Sequence, residues 1–163
     1  MNTNLQRAIV LSLLVLLMAA TRSHVFSHFT PVPDATWAAF FVGGFYLRAW
    51  ARWAFPARMA LAVLIDYLVI SGQGIDFFSH YCVSPGYWML VPAYAAMWAG
   101  GHWLRSRYAG ASVGARARRA GVLVPTTAVC PRFAQGGFYW RSSAVAEPTF
   151  GGWAANYGHW FPA

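Results

Sequence analysis

The chain contains no lysine. All 12 basic residues are arginine, and only four residues are acidic. Charged residues make up 10% of the 163 positions and hydrophobic ones 58%, whereas a soluble domain carries roughly a quarter charged residues. That shortage argues for a membrane protein, and the length suits one domain, residues 1–163. Four carboxylates are too few for a carboxylate-rich ion site. No G-x-x-x-x-G-K-[ST] loop is present, so this chain has no ATP site of that type. A C-x-x-C-H haem attachment, a C-x-x-C pair and a G-x-S-x-G elbow are also missing. The net charge of +8 does not indicate nucleic acid as a partner. The arginines gather at the ends of apolar runs, which marks membrane topology rather than a basic face on a soluble core.

Five stretches are long or apolar enough to cross or enter a bilayer: Ala8–Ala20, Trp37–Phe55, Met59–Ile75, Tyr87–Leu104 and Ala120–Cys130. A spanning helix needs about 20 mostly apolar residues, which the middle three approach. The first run, with Arg7 before it and "MAATRS" after it, has some likeness to a signal peptide. Met18 would hold the −3 position of a cut after Ala20, where a small residue is required, so a retained helix is expected. The fifth run meets "CPRFAQGG", which is expected to interrupt it, leaving a helix over Val122–Phe138. Near the end, Trp153, Tyr157 and Trp160 share a helical spacing, as in an aromatic helix at the membrane interface.

Arginine placement orients these runs. Arg7, the trio Arg48, Arg52 and Arg58 around the second connection, and the five arginines from Arg105 to Arg119 fall on one side. Arg22, Arg132 and Arg141 fall on the other. Nine arginines against three place the N-terminus inside. The third connection, Ser71 to Pro85, has no basic residue and lies outside with Cys82. The first connection, with His24 and His28, shares that side with His80.

Cys82 lies in "FFSHYCVSPGYW", between His80 and a Pro85–Gly86 turn. Three readings stand open: a buried thiol acting as a small hydrophobe, a disulfide with Cys130 on the oxidising side, and a soft thiolate ligand for a transition metal or metallocofactor. Asp66 is in the middle of the third run, where a carboxylate is costly unless paired. It is either structurally paired with Arg48 or Arg52, or functional. Asp76 reads as a helix-end or loop residue able to hydrogen-bond a polar ligand edge. His24 and His28 are four apart, a spacing that can bind zinc, but no third ligand follows and loop or cap roles are expected. The 29 aromatics crowd the outer half, among them Phe77, Tyr81, Tyr87 and Trp88. They form an interface belt, the wall of a pocket for a large flat ligand, or both. Ala8 and Ser12 form a small-xxx-small pair that suits close packing with a partner helix.

The segments "TRSHVFSHF…PDATWAAFFVGGFYLR", "DFFSHYCVSPGYW" and "GGFYW…VAEPTFGGWAAN" together resemble the BtuM family. These are small bacterial inner-membrane proteins related to the substrate-binding S-components of energy-coupling-factor vitamin transporters. The likeness runs from Thr21 to Leu104 and resumes near Gly137, with the cysteine loop as its most specific part. It implies an all-α integral membrane protein with an S-component-like helical bundle of five to six membrane segments. The family pattern continues beyond "WFP" into a last helix, so that segment is expected to be missing or altered here. The resemblance further implies cobalamin binding and uptake, with Cys82 ligating the corrinoid cobalt and removing cyanide from cyanocobalamin. Tyr87 is the next pocket residue carried over, followed by Asp66, Asp76 and His28. His80, Phe77, Tyr81 and Trp88 complete the expected site. The implied partners are the corrinoid, membrane lipid and an energy-coupling-factor module. The rival expectation is a haem- or metal-binding membrane protein using His24, His28, His80 and Cys82. A third is a structural subunit whose aromatics pack on partner helices.

Overall fold

The computed structural model describes residues 3–23, 34–80, 83–107, 113–141 and 145–160. Among them the fold is all-helical, with no strand. The leucine-rich first run has no glycine or proline to interrupt it and forms α1 (Thr3–Arg22). Asp34 then opens the next helix: its Oδ1 accepts the Thr36 N–H at 2.9 Å, an Asx turn that satisfies an otherwise orphaned donor. The helix so started is α2 (Thr36–Tyr46).

The expected run Trp37–Phe55 is divided. Helix α2 stops at Tyr46, residues Arg48–Trp50 make one 3₁₀ turn, and α3 (Ala51–Gly72) follows at once. Pro56, the natural place for a break, lies inside α3. Arg52 and Arg58 are therefore helix residues rather than parts of a connection. Arg58 is wholly buried. Its guanidinium donates to the Ala39 carbonyl and lies 4.9 Å from the Phe40 ring centre and 5.4 Å from that of Trp98. A Cβ at Gly43 would occupy the space of that guanidinium.

The chain continues through α4 (Leu90–Ser106), α5 (Val113–Arg141) and α6 (Phe150–Trp160). Helix α5 contains the expected Val122–Phe138 segment and runs unbroken through "CPRFAQGG". The glycines there serve packing instead: a Cβ on Gly137 would strike Met89, and one on Gly86 would strike the Gly137 carbonyl. The expected aromatic helix is α6, in which the side chains of Tyr157 and Trp160 lie outside the described residues.

Helix α2 sits at the centre and packs most extensively on α4, with α1 and α3 beside it and α5 against the far side of α4. Two glycines permit this. A Cβ on Gly44 would meet the Trp98 carbonyl, and one on Gly101 the Phe41 carbonyl, so the α2 and α4 backbones touch. Phe40 stacks on Tyr94 with ring centres 4.6 Å apart and meets Phe55 and Trp98 edge-on. Leu14 and Met18 of α1 and Cys130 of α5 close this core.

The connections fall at two ends. Arg22, Asp34, Gln73, His80 and Phe138 come together at one; Thr3, Arg7, Tyr46 and Arg105 come together at the other. Two helical stretches, Thr3–Arg22 and Arg48–Gly72, are long and apolar enough to cross a membrane. Helix α2, with 11 residues, covers only about 16 Å, roughly half of a hydrocarbon core.

Because Gly101 has no room for a side chain, Gly101→Val is expected to lower stability by about 1–3 kcal/mol through overpacking. Gly121→Ala, where nothing lies within 4 Å of the added carbon, should leave melting in detergent unchanged or slightly raised. Equal melting of the two variants would contradict the close α2–α4 contact.

Candidate ligand-binding cleft

An apolar helix that carries a carboxylate needs a cation or donors for it. Asp66 is on the α3 face turned to α1, and the last residue of α1 supplies the cation. Arg22 Nε donates to Asp66 Oδ1 at 2.7 Å and Nη2 to Oδ2 at 2.6 Å, a two-point clamp of the kind arginine forms best. The remaining Nη1 donates to Asp34 Oδ2 and to the Tyr94 hydroxyl, each at 3.0 Å. Tyr87 completes the set, donating its hydroxyl to Asp66 Oδ2 at 2.5 Å. One guanidinium thus joins α1, α3, α4 and the start of α2.

This corrects the expected pairing. Arg52 lies 14 positions before Asp66 on the same helix, about 21 Å away along its axis, and Arg48 lies beyond α3 altogether. The partner is Arg22, the last residue of α1. The clamp is mostly shielded from solvent, with side-chain exposures of 11% for Arg22 and 18% for Asp66. Tyr87 lies in the 3₁₀ turn Tyr87–Met89 ahead of α4. Burial, and then the hydrogen bond to Asp66, hold its phenol above the ordinary value, so it stays protonated and donates.

The cluster forms one wall of a cleft of about 490 Å³. Val69, Ile70 and Gln73 of α3, His80, Gly86, Leu90, and Ala134 and Phe138 of α5 form the rest. One arginine facing two carboxylates, Asp34 and Asp66, leaves this wall with a formal net charge of −1. The apolar side chains opposite it make the cleft amphipathic. Such a surface suits a ligand with both apolar faces and amide or hydroxyl edges.

Of the residues singled out in the sequence, Asp66, Tyr87 and His80 meet in this cleft. Asp76 does not. It caps the 3₁₀ turn Phe77–Ser79, accepting the Ser79 N–H at 2.9 Å, as expected of a turn residue. Phe77 is buried with its ring edge-on to Tyr67, Phe78 and Tyr87. With Trp88 it lines a separate apolar groove of about 540 Å³ between α3 and the start of α4. His24, His28, Tyr81 and Cys82 lie outside the described residues. The chain on either side of residues 81 and 82 is joined by the Val83 N–H donating to the His80 carbonyl at 2.8 Å. Cys130 is a free, fully buried thiol in the core, not half of a disulfide. Among the described residues, no three His, Cys, Asp or Glu side chains gather to hold a metal ion.

Sequence reasoning missed Arg22, Asp34, Tyr94 and Phe138. Arg22 had a readable signal, since it is the one arginine between the first two apolar runs. The others depend on helix rotation, which a short apolar pattern does not define.

Comparison with models of known protein families and with curated proteins returned no match.

The clamp makes a specific energetic prediction. Arg22→Met alone leaves Asp66 with the Tyr87 hydroxyl but no cation and should cost about 3–5 kcal/mol. Asp66→Leu leaves Arg22 paired with Asp34 and should cost less, and the double variant should recover part of the Arg22→Met loss. A double-mutant cycle by chemical denaturation in detergent measures this. Purely additive losses would show that the two side chains do not act as a pair.

Proposed function

We propose that this chain is a membrane-embedded cobalamin transporter of the S-component type, which takes a corrinoid at its outer face and passes it inward. The observation that carries the reading is the amphipathic cleft at the carboxylate-bearing end. It is bounded by the same connection that holds Cys82, in the segment whose residues resemble the BtuM family. A corrin is larger than the cleft, so an amide-bearing edge would enter it while the ring face rests across the opening. Asp66 and Asp34 would accept from the ligand's amide N–H groups, Tyr87 and Arg22 would face its carbonyls, and Phe138 and Leu90 would meet its apolar rim.

In this reading the Cys82 thiolate donates an electron pair to cobalt. Thiolate is a soft ligand suited to a transition metal, and the metal itself favours loss of the thiol proton. With cyanocobalamin the step is a ligand exchange: a sulfur–cobalt bond forms, the cobalt–cyanide bond breaks, and cyanide leaves with its electron pair. The cobalt oxidation state does not change.

The membrane arrangement belongs to the same proposal. Helix α1 and the stretch ending α3 cross the bilayer, α2 fills the centre of the bundle, and α4 and α5 complete the wall to give five segments. The arginine-rich end faces the cytoplasm of a bacterial inner membrane, and the Cys82 connection faces outward. With no phosphate-binding loop in the chain, any ATP-driven step would come from a partner module.

Purified protein titrated with cyanocobalamin should show the visible spectrum of a thiolate-ligated cobalt, and Cys82→Ser should lose it while melting as the parent does. A spectral change that survives Cys82→Ser overturns the axial ligand. Co-purified haem without corrinoid binding favours the metal-binding rival. In cells lacking their own importer, growth on external cobalamin should depend on this chain.

A further inference from the structure

The end opposite the cleft carries charge of one sign. Arg7 of α1, Arg48 and Arg52 at the α2–α3 junction, and Arg105 and Arg107 at the close of α4 gather there, and α5 enters with arginines at 116, 118 and 119. The chain's four carboxylates, Asp34, Asp66, Asp76 and Glu147, belong to the connections and helix segments of the other end. Within the basic end, α1, α2 and α4 leave a cleft of about 220 Å³ lined by Thr3, Gln6, Arg7, Val10, Tyr46 and Arg105. Arg7 donates to the Asn4 side-chain oxygen at 3.2 Å, and Arg105 lies 5.3 Å from the Phe45 ring centre. Neither meets a carboxylate among the described residues.

Two guanidinium groups from different helices around one small cleft suit an anion. Its borders indicate which anion. At the same end Arg52 lies 5.6 Å from the Trp53 ring and Arg107 4.8 Å from the Trp103 ring, an arginine–tryptophan arrangement suited to the headgroup level. Along α1, Leu13 and Leu17 continue the face that bears Gln6 and Val10, and they are 60% and 41% exposed. An anion held in the cleft and attached to acyl chains would lay those chains along the two leucines. A free phosphate would leave the leucines without a role.

We infer that this cleft binds the phosphate of an anionic phospholipid, with Arg7 and Arg105 as its charged ligands and Tyr46 as a further donor. The inference rests on the membrane placement proposed above and is independent of the corrinoid.

The test uses the full chain in zwitterionic phosphatidylcholine nanodiscs or micelles, titrated with phosphatidylglycerol, further phosphatidylcholine or inorganic phosphate. Retained lipid is read by native mass spectrometry and stability by thermal melting. Phosphatidylglycerol should be retained selectively and raise the melting point. Retention should fall about thirtyfold in R7Q/R105Q, with melting in phosphatidylcholine unchanged. R48Q/R52Q removes the same charge outside the cleft and should keep the selectivity. R7K/R105K keeps the charge but not the planar fork and should retain lipid at an intermediate level.

Several results would overturn the inference: equal retention of both lipids, equal loss in the two glutamine pairs, or an equal response to inorganic phosphate. An acidic protein partner that displaces phosphatidylglycerol would likewise assign the surface to protein. Failure of the chain to float with vesicles of either lipid would contradict the membrane placement itself, a result separate from loss of lipid selectivity.

Discussion

The two-point contact between Arg22 and Asp66 is the constraint on which the rest of this structure depends. Asp66 is an ionisable group in an otherwise apolar helix, and such a group is retained only with a partner. Arg22 provides it from the end of α1, and its Nη1 donates to Asp34 and Tyr94. A single guanidinium therefore sets the heights of α1, α3 and α4 relative to one another and fixes where α2 begins. The Tyr87 hydroxyl, drawn to the same carboxylate, ties the connection before α4 to that point. The cleft is the space left above this cluster once α5 closes against the turn at Tyr87–Met89.

The clamp also explains the polarity of the molecule. At its end of the bundle, carboxylates and hydroxyls face one another around a single arginine. At the other, Arg52, Arg105 and Arg107 stand beside aromatic rings. The midsection between them is held by backbone contact through Gly44 and Gly101 and by the stacked Phe40–Tyr94 pair. Arg58 is the exception within that midsection. It is buried over two aromatic faces, with Nε and Nη1 unpartnered among the described residues, and the space at Gly43 accommodates it.

Much of this was legible in the sequence, and the failures have physical causes. The scarcity of charge indicated an apolar helical chain, and the described residues are helical with no strand, two of the helical stretches being long and apolar enough to cross a membrane. The boundary between α2 and α3 was misplaced because the apolar run Trp37–Phe55 reads as continuous. The break in fact falls at Leu47, where no proline or glycine marks it. Pro131, Arg132 and Gln135 were expected to interrupt the fifth run, yet α5 continues through them, and Gly137 just beyond is a contact point for Met89 and Gly86. Asp66 was recognised as needing a partner, but an arginine 44 positions away in sequence was invisible to a search for neighbours on adjoining segments. His80 and Tyr87 both line the cleft because they flank one short connection. Phe77 and Trp88, from the same connection, face the neighbouring apolar groove, since a 3₁₀ turn sends successive side chains in different directions.

The central claim joins the cleft to the connection that bears Cys82, and a structure of the full chain with bound corrinoid tests it most directly. The account predicts a corrin edge between Asp66, Tyr87 and Phe138, with the Cys82 sulfur in the cobalt coordination shell at about 2.3 Å, the length of a zinc–thiolate bond. A corrinoid seated elsewhere, or cobalt with no sulfur ligand, would contradict it.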